Sequence, residues 1–121
     1  MIRLFTNSRY KINKKAIMSG LDKELSLMKL IGGENINIIF IGKRKMLEIA
    51  NKYKSENEAL PVLTFPYLKN NDNISDVPDE KVIGEIFICY PQAVLLAAER
   101  NKIVDKMMLE LIIHGINNIF K

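Results

Sequence analysis

Two short apolar runs constrain this chain most: INIIFIG at residues 36–42 and GEIFICY at residues 84–90. Such a density of β-branched and aromatic residues, in stretches of seven, reads as strands buried in a sheet. With 121 residues the chain reads as one domain, long enough to bury a core without disulfide staples.

The remaining elements follow from periodicity. Ile2 to Thr6 alternates as a short first strand. From Lys14 to Leu30, Ile17, Leu21, Leu25, Met28 and Leu30 fall on helical spacing, and Gly32-Gly33 ends that helix. Lys43 to Lys54 returns to helical spacing through Met46, Leu47, Ile49 and Ala50. VLTF at residues 62–65, stopped by Pro66, is a third strand, and the polar stretch 68–82 is a long loop. After Tyr90, Pro91 opens a helix through QAVLLAAER that Asn101 closes. A last helix starts near Val104 and repeats its apolar face through Met107, Met108, Leu111, Ile112, Gly115 and Ile119. The order is β-α-β-α-β-loop-β-α-α, an α+β domain with a roughly four-stranded mixed sheet packed by helices.

Composition excludes several classes. No segment approaches the roughly 18 uninterrupted apolar residues of a membrane span, and MIRLFTNSRYK lacks the apolar core of a signal peptide. A single cysteine provides no disulfide framework, which fits a reducing cytoplasm. Cys89, inside IFICY, reads as a small buried thiol. The net charge of +4 is unevenly spread: residues 1–54 hold twelve Lys/Arg against four Asp/Glu, residues 55–121 six against ten. A basic half suggests a surface that meets a polyanion. Lys43-Arg44-Lys45 opens a helix and suits an RNA groove, although a solvated helix end explains it equally well.

LELIIHGINNIF, near the carboxyl end, holds the only histidine, His114, followed by Gly115. Taken alone, a lone histidine on an apolar helix is a satisfied packing residue. The glycine argues against a zinc protease, whose H-E-x-x-H motif needs Glu after the first His. Glu110, one turn earlier, is placed to be a hydrogen-bond partner or base for His114, or simply a solvent-facing charge.

In order and spacing, INIIFIG, NKYK, ALPVLTFP, IGEIFICYPQAVLLAAE and ELIIHG resemble the YbeY family of ribosomal-RNA maturation endoribonucleases over essentially the whole chain. That family carries a Y-R segment, a T-D-V-L-S-F-P strand, G-D-I before a further strand, A-x-x-x-A-x-E on a helix, and the signature H-G-x-x-H-L-x-G-Y-D-H. The resemblance implies a metal-dependent single-strand endoribonuclease of ribosomal RNA maturation and ribosome quality control. It implies zinc as cofactor, ribosomal RNA and ribosomal proteins as partners, no membrane, and a cytoplasmic monomer.

Carried over position by position, His114 matches the first zinc ligand. Asn118 stands at the second ligand position, and the third falls three residues beyond Lys121. Asn118 offers a neutral amide, a poor zinc ligand beside imidazole. Lys54 stands at the family's arginine, keeping the charge but losing the two-pronged geometry. Glu85 replaces Asp, Thr64 replaces Ser, and Leu60-Pro61 replaces Thr-Asp. The resemblance thus places Lys54 and Glu85 in catalysis, His114 and Asn118 at a metal, and Lys43, Arg44, Lys45 and Lys54 on RNA. The alternative is a silent RNA- or ribosome-binding member without a working zinc site. His114 and Asn118 are expected one turn apart, facing a cleft bordered by Lys54 and Glu85.

Overall fold

The computed structural model describes residues 2–7, 9–28, 35–67 and 82–120, with the backbone alone for residues 25–28. The Gly32-Gly33 stop and the polar stretch 68–81 lie outside the described residues. Element order is β1 (Ile2–Phe5), α1 (Lys14–Met28), β2 (Asn35–Ile41), α2 (Lys43–Lys54), β3 (Val62–Pro66), β4 (Val82–Cys89), α3 (Tyr90–Glu99) and α4 (Val104–Ile119). The expected α+β order is therefore observed. The boundary between β4 and α3 differs, because Tyr90 is already helical and Pro91 lies in the first turn of α3. Proline lacks only a donor that the first turn leaves unpaired anyway.

The sheet order is β1-β2-β4-β3. β1, β2 and β4 run parallel, while β3 is an antiparallel edge strand on β4. This explains the two apolar runs: β2 and β4 are inner strands covered on both faces, so both faces must be apolar. α1, α3 and α4 cover one face through Ile17, Leu21, Ala93, Met108, Ile112 and Ile116, which meet Ile38, Ile86 and Ile88. On the other face, α2 packs Met46, Ile49 and Ala50 against Leu63, Phe65, Phe87 and Cys89. Burial pushes the Cys89 thiol above its ordinary pKa, and Gln92 and Lys43 offset only part of that.

Helix ends follow from local chemistry. The Asn13 side-chain oxygen accepts the Ala16 N–H at 3.0 Å and caps α1. Ser55 ends α2 in the left-handed region, and Asn101 takes the same conformation after α3. Pro61 precedes the edge strand and Pro66 is its last residue, positions where a missing donor costs little, and the Pro61 carbonyl still accepts the Cys89 N–H at 2.9 Å.

One polar row crosses the sheet on the α2 face. Arg3 Nε donates to Asn37 Oδ1 at 2.9 Å. Asn37 Nδ2 donates to Glu85 Oε2 at 3.3 Å, and Tyr67 Oη donates to Glu85 Oε1 at 2.8 Å. Asn37 and Glu85 are fully buried register partners. Removing the carboxylate takes an acceptor from the buried Asn37 amide and the half-buried Tyr67 hydroxyl, so Glu85→Ala should lower unfolding free energy by about 2–4 kcal/mol in denaturant titration.

Where α4 crosses β4, a Cβ on Gly115 would lie 2.8 Å from Ile86 Cδ1 and 2.9 Å from its Cγ2. Glycine inside a helix ordinarily costs about 1 kcal/mol relative to alanine. Here overpacking of about 1–3 kcal/mol opposes that gain. Gly115→Ala is expected to lower the melting temperature, and a rise would show that α4 has room to move.

Candidate functional site

α4 presents His114 and Asn118 one turn apart on the side of the helix that reaches past the sheet edge. His114 is exposed and Asn118 half-buried, while the flanking Gly115, Ile116 and Ile119 are buried. The packing reading of His114 therefore fails: its helix is buried, but the imidazole is not. Together with Lys54, Val62, Leu63, Thr64 and Pro66 they line an open cleft of about 400 Å³ over edge strand β3. Three separate elements contribute to it. α2 brings Lys54 from one face of the sheet, α4 brings His114 and Asn118 from the other, and β3 runs between them.

Lys54 Nζ lies 5.2 Å from the Phe65 centroid, a cation–π contact at the exposed end of α2. Asn118 Nδ2 lies 3.3 Å from His114 Nε2.

One expectation is corrected. Glu85 does not border this cleft. It has no exposed surface, and Asn37 and Tyr67 hold its carboxylate inside the sheet on the α2 face. Its position within an inner strand, one residue after Gly84, is what buries it. Glu110 takes the second of its two readings, a solvent-facing charge, with Lys102 Nζ on both its oxygens at 2.6 and 2.8 Å. That ammonium lowers the Glu110 pKa, with the nearby Lys106 and Arg100 adding to it.

The basic residues fall into two groups. Lys43, Arg44 and Lys45 line a hollow with Arg9 and Tyr10 at the N-terminal end of α2, whereas Lys54 lies at its other end. At 1.5 Å per residue the two ends are about 16 Å apart. The sequence offers Thr64 only as the residue at the family's serine, yet the structure puts it in the lining of the same cleft as His114. Alternation along β3 carries that signal, since Thr64 faces away from the buried Leu63 and Phe65.

The zinc implied by the resemblance does not fit the residues described. No group of three His, Cys, Asp or Glu side chains comes together among them, and the one imidazole in the cleft is engaged by an amide. Three protein ligands are the usual minimum for a reactive zinc.

The family model described as endoribonuclease YbeY matches residues 4–118. An endoribonuclease YbeY of Thermotoga neapolitana is 31% identical over 116 residues, 96% of this chain and 69% of the relative. That of Thermodesulfovibrio yellowstonii is 32% identical over 67% of this chain and 48% of its own length. That of Stutzerimonas stutzeri is 30% identical over 76% of this chain and 55% of its own length. The chain thus spans only about half of several relatives that it matches. A solution structure from Thermotoga maritima superposes with a TM-score of 0.60 at 26% identity, over 98% of this chain and 71% of the other.

The 121-residue protein, purified without added metal, is expected to carry far less than one zinc per chain by mass spectrometry of the metal. Asn118→His places a second imidazole one turn from the first and should tighten zinc binding by at least about tenfold. Stoichiometric zinc in the unmodified protein would show that His114 finds further ligands after all.

Proposed function

The chain belongs to the endoribonuclease YbeY family, and from that premise we propose that it acts in ribosomal RNA maturation and ribosome quality control as a single-strand endoribonuclease. The observation that carries this reading is the convergence of Lys54, Thr64, His114 and Asn118 on one open cleft. In this reading a phosphodiester lies over β3. Lys54 balances its charge from the α2 side, and the Thr64 hydroxyl and Asn118 amide supply short-range hydrogen bonds. His114 stands at the reacting position, the one imidazole within reach.

Zinc remains the cofactor that family likeness suggests, but no step here is routed through it. The proposed setting is the cytoplasm, with the chain working as one domain and as a monomer on ribosomal RNA, in the company of ribosomal proteins. No described helix is long and apolar enough to cross a membrane.

The test uses a labelled single-stranded fragment of ribosomal RNA, with binding followed by anisotropy and cleavage by gel. Lys54→Ala should weaken binding about tenfold, the scale of one charge-assisted contact. His114→Ala should still bind but lose cleavage. Cleavage that survives His114→Ala would move the reaction elsewhere, and a protein that neither binds nor cuts the RNA would overturn the reading.

A further inference from the structure

The outer surface of α2 carries a pattern that the cleft does not use. Lys45, Ile49, Lys52 and Tyr53 recur at helical spacing and so share one side of the helix. A groove runs along them, with Glu48 on its rim. Ile49 is its buried floor, whereas Tyr53 leaves 46% of its surface exposed.

This ring is fixed in place rather than free. Tyr53 meets Phe65 edge-on with centroids 5.7 Å apart, and Lys52 Nζ lies 5.2 Å from the Tyr53 centroid. Phe65 is also the ring beneath Lys54 Nζ. One phenylalanine thus joins the groove to the cleft, with Tyr53 on one side and Lys54 on the other. At its far end the groove shares Lys45 and Glu48 with the basic hollow of Arg9, Lys43 and Arg44. Along the whole helix five cations face a single carboxylate.

Cations in file with an exposed, rigidly held aromatic ring are what single-stranded nucleic acid needs. Phosphates follow the charges, and a base stacks on the ring whatever its identity. We propose that α2 is a guide rail for single-stranded RNA, with Lys45, Lys52 and Lys54 along the backbone and Tyr53 as the stacking platform. The rail delivers the strand to the cleft holding His114. This inference rests on the RNA reading of that cleft and adds a path and a base contact to it.

The test is binding of a twelve-residue oligouridylate, measured by anisotropy over a series of salt concentrations. Tyr53→Ala should weaken binding by about 5- to 100-fold, and Tyr53→Phe, which keeps the ring, should restore it. Lys45→Gln with Lys52→Gln should flatten the slope of log affinity against log salt by about 1.4, at about 0.7 per phosphate contact. Lys102→Gln with Lys106→Gln, on α4 and the turn before it, should leave that slope unchanged. If Tyr53→Ala and the Lys45/Lys52 pair bind as the parent does while Lys54→Ala binds weakly, the rail is wrong and the cleft reading stands. If the parent protein does not bind the oligonucleotide at all, the cleft reading falls and takes the rail with it.

Discussion

The close approach of α4 to β4 is the contact on which everything else is hung. Two glycines make it possible, one on each element. A Cβ on Gly115 would collide with Ile86, and a Cβ on Gly84 would lie 2.5 Å from Ile119 Cδ1. With neither present, the helix lies directly on the strand, and Ile86, Ile112, Ile116 and Ile119 close the core around the contact. Each glycine adjoins a polar residue whose fate it decides. Gly115 seats the helix so that His114, one position earlier, clears the sheet edge. Gly84 lies in the same strand as Glu85, whose side chain must point to the opposite face.

That opposite face explains why a carboxylate tolerates full burial. Burying a charge is costly unless it is paired and hydrogen-bonded. Asn37 and Tyr67 both donate to Glu85, and Arg3 donates to Asn37, so three strands and the residue after β3 each contribute to one row. The row also fixes register. A slip of one residue in β4 would drive Glu85 into the apolar helices on the other face and turn Ile86 towards the polar row. The same residue that gains nothing for the cleft therefore makes the pairing of β2 with β4 unique.

Much of this fold was legible in the sequence because inner strands and amphipathic helices have distinct periods. INIIFIG and GEIFICY could only be strands covered on both faces, and α2 and α4 showed their buried stripes at helical spacing. The spacing of His114 and Asn118 placed both on one face of a helix. What was not legible concerns relations across the sheet. Whether Glu85 borders a cleft or is sealed in a row depends on which strand pairs beside it, and spacing along the chain says nothing of that. Lys43 and Lys54 look like members of one basic half, but twelve helical residues set them at opposite ends of a rod. Tyr53 stands in NKYK beside Lys54, but spacing along the chain does not show that its ring lies against Phe65 and stays half-exposed.

The charges on α2 have an electrostatic asymmetry that folding alone does not account for. Lys52 and Lys54, in the last turn, meet the negative end of the helix dipole and are favoured there. Lys43, Arg44 and Lys45 occupy the first turn, which holds no acidic residue, and Gly42 provides no side-chain cap. Three cations at the positive end oppose the dipole at a cost of a few tenths of a kcal/mol each. None of their side chains is buried, so apolar packing returns none of that cost. A polyanion lying along the helix reverses the sign at that end, because each phosphate neutralises a cation that otherwise repels its neighbours and the dipole. At the other end the lysines are favoured with or without a strand. The helix is thus least comfortable empty at its N-terminal turn, and on the RNA reading proposed above a bound strand contributes most to its stability there.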